Sequence, residues 1–259
     1  MLSEWHHAAV AAALAAAERD RAPIEPPRDT WPGFDVDDAY AVQLCNVRER
    51  RAAGTMVCGH KVGLTSRRMQ EMLGVDEPDY GHLFEDMVVP DGGEIAVADL
   101  CSPRVEIEVA FVLRQALVGP GVTVAHVLSA TESVAPAIEV IDSRVRDWRI
   151  TLADTVADNA SSARIVLGPA SPVPEDLAGL RAVLRRNGET VETGVSAAVL
   201  GHPAAAVAWL ANKLARLGGH LHAGYVVMPG ACTGAVDVQA GDEIVGEFDE
   251  IGSVSVRFG

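Results

Sequence analysis

Residues 103–113 read Pro103-Arg104-Val105-Glu106-Ile107-Glu108-Val109-Ala110-Phe111-Val112-Leu113. β-Branched and aromatic residues fill the run and turn formers flank it, which predicts a strand. Two glutamates interrupt it at i and i+2. Because a strand alternates its faces, Glu106 and Glu108 project from one side and Val105, Ile107 and Val109 from the other. If the strand lies in a sheet core, two carboxylates are pressed together in a partly dry place. There they repel and hold protons more tightly, and a divalent cation would relieve both costs. Spacing alone fits equally well the wet face of an amphipathic edge strand. A third glutamate tips the balance. In Ala135-Pro136-Ala137-Ile138-Glu139-Val140-Ile141-Asp142, Glu139 is flanked by apolar residues on both sides, where a solvated role is less natural. Three carboxylates with no Cys or His close by in sequence favour a hard, oxygen-loving ion, Mg²⁺ or Mn²⁺.

The 259 residues suffice for one large domain, or one domain with a smaller appendage, around a substantial core. With 21 basic and 36 acidic residues, the net charge is −15. Nucleic acid and anionic membrane are therefore excluded as main partners, since both call for a basic patch. An anionic small substrate is not, because a metal and a few cations reverse the field locally. Cys45, Cys58, Cys101 and Cys232 are widely spaced and form no C-x-x-C pair, which predicts reduced thiols in a cytoplasmic protein. Neither a signal peptide nor a membrane span is expected.

In chain order, a helix is expected from Ser3, its N-cap, to about residue 21, and a second from Asp35 to about Ala53. Pro23, Pro26, Pro27 and Pro32 enforce an extended connector between them. The run Met56 to Leu64 reads as a strand carrying Lys61 between two glycines, followed by a short helix over Arg67 to Leu73. Lys61 either snorkels to solvent, the commoner fate of lysine, or meets an anion. Asp76 to Phe84 reads as a polar turn, a lid or a surface connection, with Asp79 and His82 as its acid–base candidates. Asp142-Ser143-Arg144 reads as a surface ion-pair cluster, and Asp154 to Ser162 as a loop too polar for the core. Asn187-Gly188 marks a hairpin, and Pro203 opens a helix to Leu217. His220-x-His222 has metal-like spacing, but nothing nearby in sequence completes a site.

Taken together, Gly59-His60-Lys61-Val62-Gly63-Leu64-Thr65-Ser66, Asp76 to Leu83, Arg104 to Glu108, Pro136 to Glu139, Asp154 to Ser162, Leu200-Gly201-His202-Pro203 and Gly252 to Val256 resemble the 2-keto-4-pentenoate hydratase family of the fumarylacetoacetate hydrolase superfamily. The likeness runs in order from about residue 36 to the end. It implies an α+β fold, with a mixed β-roll or barrel core and an N-terminal helical cap, divided as 1–72 and 73–259. It also implies a divalent cation on Glu106, Glu108 and Glu139, and Lys61 and Asp79 as the acid–base groups. Ser161, Asn159, His82 and Leu83 would surround the substrate. The activity implied is hydration of a 2-hydroxy-2,4-dienoate to a 4-hydroxy-2-oxo acid, in the catabolism of aromatics or steroids. A homo-oligomer of high order, up to a decamer, goes with it, as does a downstream aldolase or sister decarboxylase as partner. Besides hydrolysis of an acylpyruvate C–C bond, whose usual His–Glu water-activating pair is not found in the N-terminal segment, two alternatives accompany this reading. One is 4-oxalocrotonate decarboxylase, with Arg67, Arg68 or Arg144 receiving the distal carboxylate. The other is a catalytically silent subunit, against which an intact and electrostatically costly carboxylate set argues.

Overall fold

A computed structural model of the chain describes residues 2–66, 70–71 and 74–259. Of the helix expected over Arg67 to Leu73, Gln70 and Glu71 are described and helical, while Arg67 and Arg68 lie outside the described residues. Helix α1 (Glu4–Asp20) buries Val10, Ala11, Leu14 and Ala17, whose spacing puts them on one stripe. A four-residue turn, α2 (Pro27–Thr30), leads to α3 (Val36–Ala52). Asp35 caps α3 by accepting from the Asp38 N–H at 2.9 Å. The buried Asp38 carboxylate then accepts from the Leu2 N–H at 2.7 Å and meets His7 Nε2 at 2.8 Å, so one side chain ties the two long helices together. No helix among the described residues is long and apolar enough to cross a membrane.

Two mixed sheets form the rest. The first eight elements of interest are β1 (Val57–Gly63), β2 (Asp79–Phe84), β3 (Val88–Pro90), β4 (Gly93–Ile95), β5 (Pro103–Leu113), β6 (Thr131–Asp142), β7 (Ser162–Leu167) and β8 (Arg181–Arg186). The remaining strands are β9 (Glu189–Val195), β10 (Val226–Met228), β11 (Val236–Asp237), β12 (Glu243–Phe248) and β13 (Gly252–Phe258). Helices α4 (Val124–Ala130), α5 (Leu152–Ala157) and α6 (Pro203–Arg216) connect them. The larger sheet runs β2-β1-β10-β5-β6-β7-β3, with β11 paired to the far end of β5; the smaller runs β4-β13-β12-β8-β9. Strand β1 is thus interior to the larger sheet, parallel to β10 and antiparallel to β2.

One face of β5 makes the core and the other makes the site. Val105, Ile107, Val109 and Phe111 are fully buried in one apolar cluster with Leu184, Ile244, Val254 and Val256 of the smaller sheet. Gly246 lets β12 settle onto β5, because a Cβ there would come within 2.7 Å of Ile107 Cγ2. Burial of these branched side chains on both sheets is the main drive that holds the layers together.

Four expectations from the polar text need correction. Asp79–Phe84 is a buried strand, not a turn or lid. Its alternation is invisible in the sequence because both faces are covered. Asp154 to Ser162 is α5 followed by a tight turn, and it is core: Asp154, Thr155, Asp158, Ser161 and Ser162 are all buried. Its polar groups find internal partners, with Asp154 meeting Arg28 and the Thr151 N–H, Thr155 meeting Ser161, and Asp158 meeting Arg144. Asp142-Ser143-Arg144 is likewise buried, with Asp142 accepting from the N–H groups of Cys101 and Ser102. Lys61 does not snorkel; it is 4% exposed.

Candidate metal centre

The antiparallel pairing of β5 with β6 sets Glu106 directly opposite Glu139 and Glu108 opposite Ala137. The i, i+2 glutamates of one strand and the single glutamate of the next therefore share a face. Each offers a carboxylate oxygen, and the three lie within 4.8 Å of one another. Glu108 and Glu139 are fully buried. Glu108 Oε2 accepts from the Gly230 N–H at 2.8 Å, while Glu108 Oε1 and both oxygens of Glu139 have no hydrogen-bond partner.

Such a trio cannot hold three negative charges comfortably. Burial, and then the neighbouring Glu139, push the Glu106 carboxyl up to about 7. Burial holds Glu108 well above the usual carboxylate range, with Glu139 and Glu106 adding to it. Glu139 is also raised by burial, against the pull of the Lys61 ammonium. Orphaned lone pairs, convergence and acid-only chemistry fit a hard divalent ion, which would satisfy the oxygens and hold them ionised.

Lys61 Nζ lies 3.5 Å from Glu139 Oε2, an ion-pair distance, and donates to the Ala160 carbonyl at 2.9 Å. Burial alone would lower its basicity, yet Glu139, Asp79, Glu106 and Glu108 outweigh that and hold it above the usual lysine range. Asp79 on β2 pairs with Gly63 on β1. A Cβ at Gly63 would overlap Asp79 Oδ1 and approach Lys61 Nζ to 3.2 Å, so a glycine is what lets the acid and the ammonium converge. Asp79 is raised by burial, opposed by Lys61, and its Oδ1 is buried without a hydrogen-bond partner.

The turn after α5 completes the wall. Asn159, Ala160 and Ser161 all take left-handed backbone, with φ of 54°, 52° and 56°. Three such non-glycine residues in a row are costly and persist only where their surroundings dictate them. Here the Asn159 amide does so. Its Oδ1 accepts from the His82 N–H at 2.8 Å and its Nδ2 donates to the His82 carbonyl at 2.9 Å. Gly81 allows this approach, since a Cβ there would overlap the Asn159 carbonyl oxygen. Ser161 Oγ is buried, 3.1 Å from Thr155 Oγ1. Leu83 joins an apolar cluster with Ala110, Ala137 and Met228 beside the carboxylates.

Glu106, Glu108, Glu139, Lys61, Asp79 and the 159–161 turn thus come together, with Leu83 as apolar wall. The His82 ring does not join them. Strand alternation turns it to the opposite face, beside His60, with Nδ1 3.0 Å from Gln43 Oε1. Its backbone is what meets the site. The Gly230 N–H and the Ala160 carbonyl carried no side-chain signal, although the glycine itself, at φ 124°, could have marked the first.

The sequence profile of the fumarylacetoacetate hydrolase C-terminal region matches residues 48–258, and the chain belongs to the fumarylacetoacetate hydrolase family. It is 47% identical to the 2-keto-4-pentenoate hydratase of Paraburkholderia xenovorans (strain LB400), over 91% of this chain and 88% of that one. It is 45% identical to the 2-keto-4-pentenoate hydratase of Burkholderia vietnamiensis (strain G4 / LMG 22486), over 97% of both. Among solved structures, 4-oxalocrotonate decarboxylase from Pseudomonas putida G7, complexed with magnesium and adipate, superposes with a TM-score of 0.97. That pair is 40% identical and matched over 100% of this chain and 99% of that one.

Proposed function

We propose that this protein is a hydro-lyase that adds water to 2-hydroxypenta-2,4-dienoate (2-keto-4-pentenoate), or a close alkyl homologue, to give the 4-hydroxy-2-oxo acid in aromatic or steroid catabolism. The observation that carries the reading is the convergence of Glu106, Glu108 and Glu139 with the buried Lys61, in a chain 45–47% identical to hydratases. The three glutamates would hold the divalent ion, Mg²⁺ or Mn²⁺. When bound, that ion supplies electrophilic stabilisation for negative charge at the carboxylate and 2-oxo end of the substrate.

The chain's own residues supply the rest. An ammonium has three N–H donors; the Ala160 carbonyl takes one and Glu139 faces another, which leaves the third for a substrate oxygen. Asp79 takes up and returns the proton at the substrate's diene carbons and at the attacking water, a role supported by its buried, unpartnered Oδ1. Ser161 Oγ, steadied by Thr155, orients the substrate. Leu83 and its apolar neighbours keep bulk water away from the conjugated chain. Asn159 acts through the turn it holds, because both ends of its amide are engaged by His82.

Decarboxylation of 2-oxo-3-hexenedioate is the second reading, favoured by the close superposition on the decarboxylase. It needs a cation for the distal carboxylate. Arg144 is not free for this: Nε and Nη2 bond Asp158 Oδ1 and the Asp158 carbonyl, and Nη1 bonds the Asp142 carbonyl. The deciding experiment offers freshly generated 2-hydroxypenta-2,4-dienoate and 2-oxo-3-hexenedioate with Mg²⁺ or Mn²⁺, following ultraviolet absorbance and CO₂. Loss of absorbance without CO₂ is expected; CO₂ release from the dicarboxylate as the faster reaction would overturn the hydratase reading. Sedimentation of the same preparation tests the homo-oligomer that accompanies it.

A further inference from the structure

A second cleft, of about 430 Å³, opens between α3 and the end of α6. It lies across β1 and β2 from the carboxylates, because alternation turns His60 and His82 away from the face that carries Lys61 and Asp79. Four histidines and a tyrosine line it as a continuous series of rings. Centroids are 4.8 Å apart for His60 and His82, 5.8 Å for His60 and Tyr225, 4.9 Å for Tyr225 and His222, and 4.2 Å for His222 and His220.

Imidazoles alone would suit a borderline-soft cation. The charges decide against it. Arg48 and Arg51 stand one turn apart on the α3 face that lines the cleft, and no carboxylate lines it, in a chain whose net charge is −15. Among the described residues neither arginine has an ion-pair partner, whereas Arg50 between them is paired with Asp86. Arg51 lies close enough to affect both His82 and Tyr225 electrostatically. A cation would enter against two guanidinium groups; an anion would enter toward them.

The rings deeper in call for a flat apolar body. His60 is 5% exposed, and its Nδ1 is buried with no hydrogen-bond partner. His82 is fixed differently. Gln43 Nε2 donates to the Tyr80 and Val156 carbonyls, so Gln43 Oε1 accepts and the hydrogen sits on His82 Nδ1. His60 keeps a buried ring nitrogen without a partner. Burial holds His82 down to about 4 and His60 well below the usual histidine value, so both rings are neutral at pH 7 and suited to packing against an aromatic face. Leu44, Leu214 and Leu217 add apolar wall.

We infer that this cleft is a second ligand site, for a planar aromatic monocarboxylate of the benzoate class, with Arg48 and Arg51 pairing the carboxylate and His60, His82 and Tyr225 packing around the ring. The inference does not depend on which reaction the carboxylate trio supports. It is tested by calorimetric titration of benzoate into the full-length protein after EDTA treatment, so that no metal ion competes for it. One saturable site is expected. In Arg48→Ala/Arg51→Ala, two exposed positions at which circular dichroism and assay should show fold and turnover unchanged, affinity should fall about tenfold or more. Tyr225→Ala should weaken it as well. Absence of saturation in the wild type, equal affinity in the double arginine variant, or loss of binding in Glu108→Gln would each overturn the inference. Sulfate displacing benzoate at equal concentration would overturn the aromatic part of it.

Discussion

Lys61 Nζ and Glu139 Oε2 stand 3.5 Å apart in a place sealed from water, on two strands that are not neighbours in the sheet. The pair is held from outside itself: the Ala160 carbonyl fixes the ammonium, and the Asn159 amide fixes the turn that presents the carbonyl. Among the described residues, the carboxylate trio is thus balanced on one side by the buried Lys61 ammonium.

Removing that cation should stop the chemistry while sparing the fold. Lys61→Ala is expected to lower kcat/KM by on the order of a hundredfold or more, the scale of one lost charged group in a dry site. Steady-state assays with circular dichroism as control check this. A rate within about threefold of wild type would return Lys61 to a packing role.

Glu108→Gln trades function for stability. The amide oxygen still accepts from the Gly230 N–H, and one of three mutually repelling carboxylates is gone. The metal-free variant should be more stable than the metal-free wild type by on the order of 1 kcal/mol. Wild-type protein should gain thermal stability as Mg²⁺ or Mn²⁺ is added, and the variant should not. Melting curves with and without ion read both effects, and equal ion-induced shifts in the two proteins would dismiss the site.

Asn159→Asp keeps the acceptor for the His82 N–H and loses the donor to the His82 carbonyl. An orphaned carbonyl costs about 1–3 kcal/mol. As the 159–161 turn relaxes, kcat should fall about tenfold or more with KM little changed, because positioning and not binding is lost. A stability loss with kcat intact would reduce Asn159 to scaffolding.

Acid should act on the other face of the sheet. The His82 ring, buried, takes a proton only near 4 in the folded protein, against an ordinary value of 6.5. Between those values the unfolded chain binds the extra proton, so stability is lost as pH falls through the window and is unaffected above it. The contribution is on the order of 2–3 kcal/mol at pH 4. His82→Gln, which can still bond Gln43, should flatten the slope of unfolding free energy between pH 6.5 and 4, and an unchanged slope would show that the ring titrates normally.

Much of the site was readable before the structure, and the reason is local. Strand alternation in β5 and apolar flanks around Glu139 are short-range signals that survive in the text. Burial of polar residues is not such a signal. Asp154 looks solvated because it is judged without the partner that satisfies it, and that partner, Arg28, lies 126 residues away. Lys61 misleads for the same reason, since its anions come from strands elsewhere in the sheet. The His82 backbone meets the site while its ring faces away from it. A one-residue alternation decides that, and the segment read as a turn offered no alternation to count.

Gly230 carries a last consequence. Its N–H holds Glu108, and its φ of 124° and the crowding of Thr65 leave no room for a side chain there. The donor is a main-chain group, so genetic drift in the surrounding side chains cannot delete it. Substitutions can only bend it out of reach. A carboxylate anchored in this way is inherited with the chain path itself, which lets side chains around the pocket vary, and new substrates be tried, without the anchor being surrendered.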